Sequence, residues 1–305
     1  MRPALIGDIG GTNARLALVT PGEVTPHDIL NLPCADYPGV IEAIQDYLAR
    51  VGATGDNAPQ EACLAFACPV HAERVKLNLS LFKVINDFTA QALGVPHVGE
   101  DNLVEVQPGE AQSHSTRLVI GPGTGLGVAG VFPGQHAWIP LPTEGGHVTF
   151  APTDTTERAL LDVFLQRHQR VSVERILCGQ GLLELYQAHC TLEGQTPRCE
   201  TPAEVTQAAN QGDALATATL LRFLKILGDV CGDATLTMGA RGGVYLCGGI
   251  LPRLLDWLPK CELRASFVNK GRMGAYNADI PVRIVTHPWT GLLGAAEALH
   301  NEEVF

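Results

Sequence analysis

Three glycine-rich segments, each joined to a short apolar run, constrain the fold of this chain more than any other feature. They span Gly7 to Arg15, Gly121 to Gly127 and Gly242 to Arg253. Apolar runs that end in glycines and alternate with helical patterns are typical of α/β proteins. A strand, a glycine turn and a second strand occur twice, near residues 5–19 and 117–132, although the two sequences are not a repeat. We therefore predict an α/β fold with a boundary near residues 97–116.

Hydrophobic periodicity places the main elements around these segments. Apolar runs predict strands at 4–7, 14–20, 62–67, 84–85, 117–120, 128–132, 243–247 and 281–285. A period of 3.6 residues predicts helices at 40–51, 88–93, 156–170, 204–211, 213–231 and 291–300, and a further helix is expected to open at Leu251.

The charge balance argues against one class of partner. The chain of 305 residues has a formal net charge of −11, and 46% of its residues are hydrophobic. A nucleic-acid-binding protein normally presents a basic surface to the phosphates, so we expect no nucleic-acid partner. Nucleotide binding stays open, because backbone amides and one metal ion can supply positive potential locally.

The cysteines and the N-terminal residues indicate a compartment. The nine cysteines form no C-x-x-C pair, and none has a histidine at zinc-site spacing, which predicts reduced thiols and no structural metal. The segment from Met1 to Asp8 lacks the apolar core of a signal peptide, and no apolar run reaches 18 residues. We expect a soluble, cytoplasmic protein that does not span a membrane.

The first glycine segment has the composition of a metal and phosphate site. Asp8 ends a buried strand, and Gly10, Gly11 and Thr12 follow it. Glycines let a backbone approach phosphate oxygens, and a carboxylate can hold Mg²⁺ directly or through water. A tight hairpin whose aspartate only caps the turn would give the same pattern.

The other two glycine segments could bind other parts of a nucleotide. Residues 121–127 hold four glycines at alternate positions, enough bare backbone to wrap an anion, although a hairpin without a ligand fits as well. Neither G-x-G-x-x-G nor G-x-x-x-x-G-K-[ST] occurs there, so neither a Rossmann nor a Walker site is indicated. Gly248 and Gly249 follow a strand, where a flat purine could lie against the backbone.

Five polar residues could contact a hydroxylated substrate. Asn86 and Asp87 follow a strand, where Asp87 could act as a general base or could simply cap the next helix with Asn86. Glu144 and His147 flank a glycine pair, and Glu174 could pair with the adjacent arginine instead. Sugar hydroxyls need such acceptors and donors, yet each residue alone is more typical of a surface or a cap.

Taken together, seven segments resemble the bacterial glucokinase family of the hexokinase kind, within the actin-like ATPase and sugar-kinase superfamily. They are Gly7 to Arg15, Val84 to Ala90, Gly121 to Gly127, Pro142 to Phe150, Val173 to Leu182, Gly242 to Pro252 and Gly291 to Gly294. They cover nearly the whole chain in order, and the Cys-rich zinc motif of ROK sugar kinases is absent from the sequence. The resemblance implies an actin-like (ribonuclease H-like) fold with a cleft between a small domain, 1–100 plus about 290–305, and a large domain, 101–289.

The resemblance also implies an activity, which is transfer of the ATP γ-phosphate to the 6-hydroxyl of glucose. Asp87 would be the base, and the sugar would bind to Asn86, Asp87, Glu144, His147 and Glu174 and drive the cleft to close. ATP would bind to Gly7, Asp8, Ile9, Gly10, Gly11, Thr12, Gly123, Thr124, Gly125, Gly248 and Gly249. Mg²⁺ would be held by Asp8 through water, and the protein would be a homodimer.

One segment departs from the family pattern. In the family, a lid with a Thr-Asn and a Trp, and then a helix, precedes the Asn-Asp strand, whereas here only Val70 to Ile85 separate Pro69 from Asn86, with Asn78 as a remnant. Either the lid is deleted or its residues are missing from this sequence. We favour the second interpretation, because the lid would close the cleft over the sugar.

Other functions of the same fold remain as alternatives. One is a kinase for another hexose or an amino sugar. A second is a non-catalytic, sugar-responsive regulator, which would usually carry an added DNA-binding segment. A third is an actin-like filament protein, which would have no need of the Glu144 and His147 pair.

Overall fold

The computed structural model describes residues 2–67 and 79–304, and over those residues it has the predicted α/β class. The strands are β1 Ala4–Ile9, β2 Asn13–Val19, β3 His27–Pro33, β4 Glu61–Phe66, β5 Leu81–Asn86, β6 Leu103–Gln107, β7 Arg117–Pro122, β8 Leu126–Pro133, β9 Trp138–Pro142, β10 Val244–Leu246 and β11 Val282–Val285. The α-helices are α1 Val40–Arg50, α2 Asp87–Gly94, α3 Thr155–Leu165, α4 Val173–Ile176, α5 Gly179–Leu192, α6 Pro202–Asn210, α7 Ala214–Met238, α8 Leu263–Val268, α9 Gly274–Ala278 and α10 Thr290–His300. The predicted lid segment around Asn78 lies outside the described residues.

The first sheet has the strand order β3-β2-β1-β4-β5. β1 and β2 form the predicted antiparallel hairpin, in which Asp8 lies opposite Arg15. β1, β4 and β5 run parallel, with Ile9 opposite Phe66 and Phe66 opposite Asn86. The carboxyl ends of parallel strands meet at one edge of a sheet, so Asp8 and Asn86 lie at the same edge.

The second sheet has the strand order β6-β11-β10-β7-β8-β9. β10 runs parallel to both β7 and β11, and Leu246 lies opposite Ile120. The glycines that follow β7 and β10 therefore emerge side by side. The two strand ends touch through their backbones, because a Cβ on Gly121 would lie 2.0 Å from the carbonyl oxygen of Cys247, which precedes Gly248.

The chain divides into two compact units. Unit 1 comprises Met1–Leu103, Ala129–Pro142 and Val285–Phe305, and unit 2 comprises Val104–Val128 and Thr143–Ile284. In the described part of the chain, no helix is both long enough and apolar enough to cross a membrane.

In unit 1, the helices α2 and α10 pack with their backbones in contact. A Cβ on Gly94 would lie 2.0 Å from the carbonyl oxygen of Thr290, and a Cβ on Gly294 would lie 1.7 Å from that of Ala90. Only glycine permits this approach. The next residues tie the end of the chain to the same unit, since Asn301 donates a hydrogen bond to the carbonyl of Trp138. The packing fixes the first turn of α2, which carries Asp87.

In unit 2, the 25-residue helix α7 forms the centre of the core. Asp213 caps its first turn by accepting from two backbone amides, and Gly239 ends it in the left-handed region at φ 60°. Phe223, Leu224 and Leu227 are fully buried, and each such side chain stabilises the fold by roughly 1.5–3 kcal/mol through removal of apolar area from water.

One predicted element is wrong in type. The helix expected to open at Leu251 is a single 3-10 turn over Leu251–Arg253. Leu254 then leaves helical geometry at φ −113°, ψ 13°, and Pro259 interrupts the next turn. Proline lacks the N–H of an α-helical hydrogen bond and disfavours the α conformation in the residue before it, so the segment cannot continue as an α-helix.

Candidate active site

Asn86 and Asp87 lie where β5 meets α2. Asn86 is the N-cap, and its side-chain oxygen accepts from the amides of Phe88 at 2.9 Å and Thr89 at 3.2 Å. The capping alternative is thus correct for Asn86. Asp87 uses Oδ1 to accept from the Phe88 amide at 2.8 Å, and this bond fixes its carboxylate at the start of the helix.

Asp87 has the electrostatics of a proton acceptor that works near neutral pH. Its partial burial raises the pKa of the carboxyl from 3.8 to about 6, and the negative charge of Asp8 contributes in the same direction. A base with a pKa close to the working pH combines a large deprotonated fraction with an adequate affinity for the proton.

Asp8 is held by an ion pair with Arg15, and the absence of a side chain at Gly291 leaves space for it. Its Oδ2 pairs with Nη1 of Arg15 at 3.0 Å. Gly291 of α10 is also close, since a Cβ there would lie 2.9 Å from the same oxygen. Burial raises the pKa of Asp8 and outweighs the lowering by Arg15. No pattern in the sequence indicates these roles of Arg15 and Gly291.

The donor set around Asp8 fits a magnesium ion held by few protein ligands. In residues 2–67 and 79–304, no three His, Cys, Asp or Glu side chains cluster as a metal cage. Mg²⁺ in phosphoryl-transfer sites usually takes one or two carboxylates and completes its shell with water and substrate phosphates. The Asp8 carboxylate, beside the glycine turn, suits that mode.

The first glycine turn is pinned by the end of β3. Gly10 donates to the carbonyl of Asn13 at 3.0 Å, and the amide of Cys34 donates to the carbonyl of Thr12 at 2.8 Å. The Cys34 thiol lies 3.4 Å from the Gly10 carbonyl oxygen, to which it donates. At Gly11 an added Cβ would meet nothing within 4 Å, so this turn presents open backbone.

The second and third glycine segments form one surface in unit 2. Gly248 has φ +91°, and a Cβ there would lie 2.6 Å from the carbonyl oxygen of Pro122. Gly123 donates to the carbonyl of Gly125 at 2.8 Å and accepts from the amide of Gly179 at 2.9 Å. The sequence-predicted nucleotide residues of unit 2 are therefore brought together.

Glu144, His147 and Glu174 also come together in unit 2. His147 Nε2 lies 3.9 Å from Glu144 Oε2, and its Nδ1 lies 3.6 Å from Glu174 Oε1. These distances exceed hydrogen-bonding range, and the side chains are 58%, 78% and 31% exposed in the order His147, Glu144, Glu174. Their polar atoms are available to a hydroxylated ligand.

The backbone around these side chains is fixed by residues that the sequence analysis did not single out. Arg170 donates to the carbonyl of His147 at 2.7 Å and to the hydroxyl of Thr149 at 3.1 Å. The amide of Leu126 donates to Glu174 Oε2 at 3.0 Å. No local pattern indicated these contacts, since the partners lie 21 to 48 positions apart.

A polar cavity of about 180 Å³ adjoins the second glycine segment. It is lined by Thr124, Glu174, Arg175, Cys178, Gln180, Gly181 and Glu184. Thr124 and Glu174 belong to the predicted nucleotide and sugar residues respectively, so the cavity joins two groups that the sequence placed in one site.

Comparison with known proteins gives consistent matches over the whole chain. The family model described as Glucokinase matches residues 5–302. A curated glucokinase of Chromohalobacter salexigens is 65% identical, over 99% of this chain and 99% of its own length. One of Marinobacter nauticus is 50% identical, over 99% and 98%.

Solved structures show the same fold. The crystal structure of a glucokinase from an Antarctic psychrotroph has a TM-score of 0.87 and 34% identity, and the match covers 98% of this chain and 99% of that one. A ROK family glucokinase from Streptomyces griseus, in complex with glucose and AMPPNP, has a TM-score of 0.62 at 18% identity, over 97% and 99% of the two chains. The second match concerns the fold alone.

Proposed function

The chain belongs to the glucokinase family of bacterial type, and from that premise we propose that it transfers the γ-phosphate of ATP to the 6-hydroxyl of glucose with Asp87 as the general base. The observation that carries the assignment of the base is the carboxylate of Asp87, half-buried at the N-terminus of α2 with its pKa raised to about 6. It would accept the hydroxyl proton as the oxygen attacks phosphorus.

The five polar residues are proposed to bind the sugar. Glu144, Glu174 and Asp87 supply acceptors for hydroxyl protons, and His147 and Asn86 supply groups that can donate as well as accept. The side-chain oxygen of Asn86 already accepts two hydrogen bonds in the helix cap. Its amide NH₂ is therefore the group that would donate to a sugar oxygen. The 3.6 and 3.9 Å gaps beside His147 leave hydrogen-bonding capacity for hydroxyls.

The three glycine segments are proposed to bind ATP. Gly7 to Thr12 and Gly123 to Gly125 would cradle the phosphates, and Gly248 with Gly249 would lie against the purine. When bound at Asp8, Mg²⁺ would neutralise charge that develops on the transferring phosphoryl group. The protein's part is to hold the Asp8 carboxylate in position, which Arg15 does through its ion pair, and Gly291 leaves space for the same carboxylate oxygen.

The remaining proposals concern organisation. Asn86 and Asp87 belong to unit 1, whereas Glu144, His147 and Glu174 belong to unit 2. We propose that these units correspond to the predicted small and large domains of the kinase, and that the protein acts in the cytoplasm as a homodimer.

A coupled assay of ADP release tests the activity. Purified protein with Mg²⁺ and ATP is offered glucose, mannose, fructose, galactose and glucosamine at equal concentrations. We expect glucose to give the highest kcat/KM and Asp87→Ala to retain glucose binding while losing about 10²–10⁴-fold in kcat. A higher kcat/KM for another sugar would reassign the substrate, and near-normal kcat in the variant would remove Asp87 from the base role.

A further inference from the structure

The sugar-binding turn and the second glycine segment of unit 2 are built as one packed cluster. Gly146, which lies between Glu144 and His147 in the sequence, is buried. A Cβ on it would lie 2.2 Å from the carbonyl oxygen of Leu126. The two backbones are thus in direct contact. Thr143 adds a second link, because its hydroxyl donates to the carbonyl of Val128 at 2.6 Å.

Glu174 joins the same two segments through its carboxylate. Oε2 accepts from the amide of Leu126 at 3.0 Å, and Oε1 faces Nδ1 of His147 at 3.6 Å. A carboxylate offers about four lone-pair positions, so Oε1 can take a sugar hydroxyl while Oε2 keeps its bond to the amide. A charged acceptor makes this bond to a backbone amide stronger than a neutral one would be.

Gly125 leaves room for that carboxylate. A Cβ at Gly125 would lie 2.5 Å from Glu174 Oε2 and 3.2 Å from its Cδ. The residue does not have a positive φ, so conformation does not require glycine there. An alanine there would instead have to displace the Glu174 carboxylate. The glycine that exposes backbone for phosphate therefore also admits the sugar-binding carboxylate.

The backbone that carries Glu174 is fixed by several hydrogen bonds. α4 begins after Ser172, whose hydroxyl accepts from the amide of Arg175 at 3.3 Å. At its first residue, the amide of Val173 donates to the carbonyl of Val148 at 2.9 Å, and just before it Ser172 pairs with Thr149 as a β-bridge. The backbone of α4 is thus anchored, and the Glu174 carboxylate that it carries contacts the Leu126 amide and the space beside Gly125.

We infer that Glu174 is a positioning residue for the second glycine segment, and that through it sugar binding and nucleotide binding strengthen each other within unit 2. A sugar hydroxyl on Oε1 fixes the carboxylate, which fixes the Leu126 amide and the phosphate-binding turn at Gly123 to Gly125. Linkage requires that bound nucleotide raise the sugar affinity by the same factor. The inference rests on the proposed function for the identity of the two ligands.

The test measures this factor by isothermal titration. Glucose affinity is determined with and without saturating AMPPNP and Mg²⁺, in the wild type, in Gly125→Ala and in Gly179→Ala. We expect a gain of about fivefold or more in the wild type, of the size usual for coupled sites. Gly125→Ala displaces the carboxylate. In this variant, saturating AMPPNP should raise the glucose affinity by less than about twofold.

Gly179→Ala is the matched control. Gly179 donates to the carbonyl of Gly123, which the substitution preserves, and a Cβ there would make only an ordinary contact at 3.6 Å. It should keep the wild-type factor. Since the factor is a ratio measured within one variant, a uniform loss of nucleotide affinity in Gly125→Ala cancels.

A second measurement needs no variant. Glucose alone, without nucleotide, should slow hydrogen exchange of the Leu126 amide by about fivefold or more, since the sugar fixes its acceptor. An unchanged exchange rate at saturating glucose, a wild type without coupling, or full coupling in Gly125→Ala would each overturn the inference. The proposed function is judged separately, by whether the wild type phosphorylates glucose in the ADP-release assay.

Discussion

Replacing Asp87 with asparagine should make the protein more stable and nearly inactive. The carboxyl has a pKa raised from 3.8 to about 6, mainly by burial. The Asp87 carboxyl therefore holds its proton more tightly in the folded protein than in the unfolded chain. Ionisation above that range costs stability, because the folded protein must accommodate a charge that burial disfavours. Asparagine removes the charge and keeps an oxygen that can accept from the Phe88 amide.

The size of the effect follows from the pKa. At about 1.36 kcal/mol per pH unit, the rise from 3.8 to about 6 corresponds to about 3 kcal/mol at full ionisation. Asp87 is only half-buried, and solvent screening reduces this to about 1–2 kcal/mol. The sign is fixed by linkage: wild-type stability falls as pH rises between 3.8 and about 6. The advantage of Asp87→Asn should therefore be absent near pH 4 and complete above pH 7.

The assay is urea denaturation of both proteins from pH 4 to 8, with kcat measured on the same samples. Asp162→Asn, which neutralises an exposed carboxylate on α3, controls for the change in net charge. Turnover of Asp87→Asn should fall about 10²–10⁴-fold. A variant that is no more stable than the wild type at pH 8, or a difference that does not change with pH, would refute this account of the Asp87 environment.

Three further predictions concern unit 1. Because the base must be ionised, kcat/KM for glucose should fall about tenfold per pH unit below about pH 6, and a flat profile down to pH 5 would contradict it. Asp8→Asn should weaken use of Mg²⁺-ATP while leaving glucose affinity intact in isothermal titration; loss of glucose affinity with unchanged nucleotide affinity would show that the first glycine segment is misassigned. Gly294→Ala should lower the free energy of unfolding by about 1–3 kcal/mol or more, since its Cβ would lie 1.7 Å from the carbonyl of Ala90. Gly99→Ala, at an open position with φ −69°, should change it by about 0.5 kcal/mol at most.

The sequence predicts the interior strands of the fold and misses three of the four edge strands. β1, β4, β7 and β10 are buried apolar runs flanked on both sides by other strands. The strands that it did not predict, β3, β6 and β9, each lie at an edge of a sheet. Edge strands are partly exposed and tolerate proline, so β3 ends in Pro33 and β9 contains Pro140 and Pro142. These strands form because they pair with a neighbouring strand, and the hydrophobic periodicity of their own sequence does not indicate that pairing.

The candidate site divides in the same way. The glycine turns and the Asn86-Asp87 pair are local patterns, so the sequence could place them. The raised pKa of Asp87 and the bond between Leu126 and Glu174 depend on residues that meet only in the folded chain. Gly125 could be recognised as a glycine of a turn, but its close contact with the Glu174 carboxylate, 49 positions away, could not be foreseen.

The contact between α2 and α10 has a consequence for the order in which the protein can be made. α2 is synthesised about 200 residues before α10, yet the two helices touch backbone to backbone. As the chain leaves the ribosome at about 5–20 residues per second, unit 1 must wait at least about ten seconds with one face of α2 uncovered. Unit 2, whose residues lie between, can complete its core first. A nascent chain stopped before Thr290 should therefore expose the surface around Ala90 and Gly94, and should be most vulnerable to proteases and most dependent on chaperones at that stage.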